Sequence, residues 1–395
     1  MTSRVEEFHL AIADRSFGNS GPGARPARVI HDSIASAVYG GLRGAGGAAA
    51  RAGGVAAARR SRPDAPALGD SPRGALALAA LNGIIGSDLE SDESALSLDM
   101  TLRHRGRDVS VAEVAELLPE TTPKIAVFVH GLCESDHSWS LFREANGGET
   151  YASRLRADLG YTPLHVRFNT GLHVSDNGSR LAALLEATVE DWPVEISEIA
   201  LFGHSMGGLI ARSAGHQGDA RGHRWVPRVH HVFCLGTPHM GAPAEKAVNA
   251  AGWALGKLGE TRPIARFLEM RSSGIKDLRF GSLVEDDWRD CEPDALLDDR
   301  CTDVPLLAGA NHYVISAAIG PEKGPLGRLL GDLLVRQASA SGHHKKRRIA
   351  FEMGNGHLLP GLNHFQLLNH PAVYEQMRIW LARGLPARAA LPSPV

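Results

Sequence analysis

The feature that most constrains this chain is an alternation. Four apolar runs, Lys124 to Val129, Pro163 to Phe168, Ile199 to Phe202 and Val229 to Leu235, each lead into a glycine-containing loop. Helical segments separate several of them. Tyr151 to Asp158 and Ser179 to Asp191 are the clearest, the second with Leu181, Leu184, Leu185 and Val189 at helical spacing. A strand that is apolar along its whole length needs cover on both faces, and strands joined through helices run parallel. The pattern therefore predicts an α/β protein with a parallel sheet between two helical layers. His312 to Ile319 and Ile349 to Met353 are read as two late strands. Ahead of the sheet, Leu96, Leu98, Met100 and Leu102 alternate with polar residues, which predicts a half-buried strand. A turn at Arg105-Gly106 then leads into a short second strand through Val109 and Val111.

The chain has 395 residues, 43% of them apolar and 22% charged, enough to build a large core and to exclude global disorder. With 42 Lys and Arg against 44 Asp and Glu, the net charge is −2. That argues against electrostatic capture of nucleic acid by the whole protein. The four cysteines form no disulfide framework. Cys291 and Cys301 are close enough in sequence to pair in an oxidising compartment, but reduced thiols are the expectation, because the N-terminus lacks the apolar core of an export signal. The apolar stretch Ala75 to Ile85 is interrupted by Asn82 and Gly83 and falls short of the ~20 residues a spanning helix needs. A soluble, cytoplasmic protein is expected.

The first residues differ in kind. Ile34 to Arg60 is mostly Ala and Gly with interspersed Arg, a breaker-rich stretch runs from Ser61 to Pro72, and a helix is expected from Arg73 to about Ile85. Residues 1–94 are read as a helical extension and 95–395 as the main domain. The apparent glycine fingerprint at 44–49 has no strand before it and is discarded.

Gly203-His204-Ser205-Met206-Gly207 has the form G-x-S-x-G. It follows the run Ile199 to Phe202 and precedes a helix-compatible stretch, Gly208 to Ala214. A strand–turn–helix with small residues flanking the serine is what lifts a nucleophilic hydroxyl above a sheet edge. Ser205 is the candidate nucleophile. A serine needs a base to take its proton and an acid to orient that base, following in the order Ser, acid, His. His364, in the loop before a helix from Pro371 to Leu381, is the candidate base, ahead of His357 and His370. Asp332, in Gly331-Asp332-Leu333-Leu334-Val335, is the candidate acid, with Asp303 and Glu322 as rivals. An oxyanion needs two backbone donors. The amides of Met206 and of Leu132, in His130-Gly131-Leu132-Cys133 directly after a strand, stand where these are required.

On the motifs HGLCES from His130, GHSMGG from Gly203, LGTPHMGAP from Leu235, GDLLV from Gly331 and LNHFQLLNHPAVY from Leu362, residues 95–395 resemble the α/β-hydrolase superfamily. They are most similar to its bacterial lipase-like and PGAP1-like (GPI inositol-deacylase-like) serine esterases. The resemblance implies an α/β-hydrolase fold: a mostly parallel sheet, helices on both faces, a helical lid insertion at about 242–300 and a helical N-terminal extension. It supports Asp332 and His364 as acid and base. It also implies a carboxylic-ester hydrolase without a cofactor, acting through a Ser-His-Asp triad and an acyl-enzyme on a small-molecule or lipid ester. A thioesterase or amidase on the same triad, or a non-catalytic membrane-associated or scaffold protein of this fold, are the alternative readings.

Pro243 to Lys257 and Thr261 to Met270 look helical, equally suited to a mobile lid or a fixed layer. The run His343 to Arg348 could meet anionic headgroups in a peripheral membrane contact, but a solvated loop is the favoured reading. No HExxH, Walker A or zinc-binding histidine spacing is present.

Overall fold

The computed structural model describes residues 69, 71–118, 120–241, 272–289, 301–318 and 349–383. Their elements run α1 (Pro72–Ser91), β1 (Thr101–His104), β2 (Arg107–Val109), α2 (Val111–Leu117), β3 (Lys124–Val129), α3 (Tyr151–Leu159), β4 (Thr162–Arg167), α4 (Val174–Asp191), β5 (Glu198–His204), α5 (Met206–Ala220), β6 (Val229–Leu235), α6 (Ser273–Asp277), β7 (Asn311–Ala318), β8 (Gly356–Pro360) and α7 (Pro371–Leu381). The eight strands form one sheet in the order β2-β1-β4-β3-β5-β6-β7-β8. The β2–β1 and β1–β4 pairings are antiparallel and all others are parallel.

Side-chain alternation splits the strand residues between two cores. Ile125, Val127 and Val129 of β3 point into one core with α2, α4 and α5. Ala126 and Phe128 point into the other with α3 and α7. That second core is aromatic: Phe128, Phe202, Phe233 and Tyr313 stack across four strands at centroid spacings of 5.0, 4.7 and 4.7 Å, and Trp380 of α7 caps the row 4.7 Å from Tyr313. Helices thus cover both faces, as the apolar runs require.

Three boundaries differ from expectation, each for a local reason. The first strand begins at Thr101, not at Leu96. The buried Asn82 side chain of α1 donates to Leu96 O at 2.8 Å and accepts from Leu98 N at 2.9 Å, taking the place of a strand ladder. Val111 opens α2 rather than extending β2, because Ser110 and Glu113 form a capping box. Ile349 to Met353 is not a strand: Phe351 N–H turns back to Ile349 O, Gly354 is left-handed at φ +89°, and pairing with β7 starts only at Gly356. Helix α1 also runs further than expected, to Ser91, with a kink at Ile85.

Most of the insertion at 242–300 lies outside the described residues, as do Ile34 to Arg60, Cys291 and the run His343 to Arg348. Its described part, 272–289, is fastened to the main body. Buried Asp277 accepts Val174 N–H at 2.7 Å and His173 Nδ1 at 3.1 Å, and Trp288 stacks on His173 at 3.7 Å. No helix among the described residues is long and apolar enough to cross a membrane.

Candidate active site

β5 lies at the centre of the sheet, between β3 and β6, and ends at His204; α5 starts at Met206. Ser205, alone between them, has φ +52° and ψ −120°, a conformation that L-residues adopt only at a cost. Its N–H donates to Leu235 O on β6 at 2.8 Å, which pins the turn. The flanking glycines are sterically required. A Cβ on Gly203 would lie 2.4 Å from Gly208 N, and one on Gly207 would lie 2.2 Å from Val129 O.

The loop after β3 faces this turn: a Cβ on Gly131 would lie 2.9 Å from Ser205 Cβ. Two of its amides are already committed, Gly131 N–H to Glu134 Oε2 at 2.7 Å and Cys133 N–H to Thr170 Oγ1 at 3.2 Å. Leu132 N–H, between them, donates to no group among the described residues, and neither does Met206 N–H at the first position of α5. Both amides expected to serve an oxyanion thus have no acceptor among the described residues. Cys133 is left-handed at φ +57°, and burial, with Glu134 adding to it, pushes its thiol up to about 12. A thiol held in its protonated form in this way is a poor nucleophile.

His364 opens a short 3-10 helix, His364–Leu367, after β8 and is 2% exposed. Its ring lies over Gly236, where an added Cβ would come within 2.8 Å of Cε1 and 2.9 Å of Nδ1. Its centroid is 4.8 Å from that of His204, the residue before Ser205. Ser205 and His364 thus both lie at the carboxyl ends of β5 and β6. Among the described residues no hydrogen bond joins the Ser205 hydroxyl to His364. Such bonds often tighten only around a substrate.

The competing histidines sit elsewhere. His370 caps α7, its Nδ1 accepting Ala372 N–H at 3.3 Å, and His357 lies on edge strand β8, its ring edge-on to Trp380. Asp303 is exposed; Asp332 and Glu322 lie outside the described residues. Among those residues, no group of three or more His, Cys, Asp or Glu side chains is placed to hold a metal ion.

Two residues at the site had no role on sequence grounds. Glu134, 5% exposed, takes both the Gly131 amide at 2.7 Å and His204 Nδ1–H at 3.0 Å on Oε2, with Oε1 2.9 Å from the same His204 nitrogen. Burial alone would raise its carboxyl, but the charge and hydrogen bond of His204, the Gly131 amide and His130 outweigh that and hold it below the ordinary glutamate value. The acid was visible in HGLCES. Its pairing with His204 was not, because the two are 70 residues apart in sequence.

A central, mostly parallel sheet with a strained serine between β5 and α5 defines an α/β-hydrolase fold. Residues 119–277 match the family model described as "Putative serine esterase (DUF676)". No curated protein matches the chain. Among solved structures, the chain is similar to the lipase BlEst2 of Bacillus licheniformis in its mature form, at 20% identity over 65% of this chain and 91% of that one, TM-score 0.40. An alpha/beta hydrolase fold protein from Chitinophaga pinensis is similar at 10% identity over 67% and 91%, TM-score 0.38. An esterase of Pyrococcus furiosus is similar at 14% identity over 66% and 82%, TM-score 0.36.

Proposed function

We propose that this protein is a carboxylic-ester hydrolase working through Ser205, His364 and Asp332. Ser205 Oγ attacks the ester carbonyl while His364 takes its proton. The negative oxygen of the tetrahedral intermediate settles on the Leu132 and Met206 amides. Collapse breaks the bond to the alcohol, which leaves with the proton from His364 and an acyl group on Ser205. Water, deprotonated by His364, attacks that acyl group; the acid departs and Ser205 recovers its hydrogen. Asp332 holds the imidazole's tautomer and offsets its charge.

The observation that carries this reading is Ser205 at φ +52°, pinned at the centre of the sheet edge beside the Leu132 and Met206 amides. The family match over residues 119–277 agrees with it. The test is fluorophosphonate labelling of the full chain beside Ser205→Ala, followed by a panel of acyl esters. The resemblance of HGLCES and LGTPHMGAP to PGAP1-like enzymes adds inositol-linked acyl esters to that panel. Labelling of wild type alone supports the reading; equal labelling of both, or of neither, defeats it.

A further inference from the structure

A buried carboxylate–imidazole pair behind the nucleophile ties the three parts of the site together. Glu134 is 6% exposed at its side chain and His204 0%. One carboxylate oxygen holds the Gly131 amide at 2.7 Å and so fixes the loop that presents Leu132 N–H. His204 Nδ1–H bonds that same oxygen at 3.0 Å and lies 2.9 Å from the other. The far nitrogen, His204 Nε2–H, donates to the backbone carbonyl of His364 at 3.3 Å. Both nitrogens of His204 face acceptor oxygens. His204 is also covalently next to Ser205.

We infer that Glu134 and His204 are positioning residues that set the oxyanion loop, the nucleophile turn and the base loop in register for ester cleavage. This rests on the proposed role of Ser205 and His364. Among the described residues neither side chain bonds the Ser205 hydroxyl, and the His204 ring only packs against that of His364 at 4.8 Å; the pair acts by holding the groups that react. A packed apolar pair of the same volume is often no less stable than a buried polar one. What an apolar pair would not supply is a fixed bond to the loop on one side and to the His364 carbonyl on the other.

The test compares p-nitrophenyl butyrate hydrolysis and fluorophosphonate labelling rates in the full-length wild type, Glu134→Gln, Glu134→Asp, His204→Asn and the Glu134→Gln/His204→Asn double variant. Asn at 204 keeps a donor towards Glu134 but cannot reach the His364 carbonyl. Trp380→Phe, on the aromatic core under α7, is the control for destabilisation as such. The expected result is a fall in kcat of about 10- to 100-fold in Glu134→Gln and His204→Asn, with KM within about twofold. Glu134→Asp recovers part of the loss, and the double variant loses no more than its worse parent, as coupled residues do. Should Glu134→Gln not fold, Glu134→Asp and His204→Asn carry the comparison. Wild-type kcat in the folded variants overturns the inference, as does an equal loss of kcat in Trp380→Phe at matched melting temperature. These outcomes leave the serine-esterase reading standing. A wild type that neither labels nor turns over removes that reading and this role with it.

Discussion

At the scale of single residues, the site is made by backbone that few side chains tolerate. Ser205 occupies φ +52° because the Leu235 carbonyl, the start of α5 and the absence of Cβ atoms at 203 and 207 leave the chain no other path. Gly207→Ala would put a methyl 2.2 Å from Val129 O, and that oxygen belongs to the central strand β3 and cannot yield. The variant should lose on the order of 1–3 kcal/mol or more of stability, read as a lower melting temperature. Glu134 carries a pH signature. Its folded carboxyl titrates below the ordinary value of 4.5, so its charged form stabilises the fold above that pH. The contribution disappears as pH falls through the lowered folded value. Urea midpoints of wild type and Glu134→Gln should therefore stand furthest apart above pH 4.5 and converge under more acidic conditions; a gap that widens on acidification would refute this. The serine, glycines and candidate oxyanion amides were legible in sequence because a turn fixes them locally. The bonds from Glu134 to His204 and from His204 to the His364 carbonyl were not, since only the folded sheet brings residues 134, 204 and 364 together.

Among the elements, legibility followed burial. β3, β5 and β6 were read within a few residues because each is covered on both faces, and an unbroken apolar run has few other uses. The edges followed other rules. β8 is half exposed and is placed by its ladder to β7, while the more apolar Ile349 to Met353 finds no strand to pair with. The central strands also carry the aromatic row. Phe202 sits between Phe128 and Phe233, stacked on both and fully buried. Phe202→Ala would leave a cavity that the rigid sheet cannot close, at a cost of about 3–5 kcal/mol. Urea denaturation should show a lower midpoint with an unchanged slope, because the surface exposed on unfolding is the same. A change in slope instead would mean that the row also sets the compactness of one of the two states.

For the molecule as a whole, the least expected feature is how α1 meets the site. It precedes the segment that matches the serine-esterase family, yet it packs on the loops beside Ser205. In sequence, Asn82 and Gly83 only interrupted an apolar stretch. In the fold they are its contacts. Asn82 bonds the chain at Leu96 and Leu98, and Gly83 leaves room for Cys133, whose Sγ would lie 2.3 Å from a Cβ placed there. Ser272 Oγ also donates to Gly83 O at 2.6 Å, which ties α1 down at this point. Gly83→Ala must then push on Cys133, the residue after the Leu132 amide. The displacement should appear first in turnover: kcat for an acyl ester should fall by about tenfold or more, since small misplacements of donor groups are costly. Cys133→Ala removes the colliding sulfur, so Gly83→Ala/Cys133→Ala should recover much of the loss. Recovery by this second substitution is the decisive measurement. It separates a collision between α1 and the oxyanion loop from a general weakening of the helix, which removal of the sulfur would not repair.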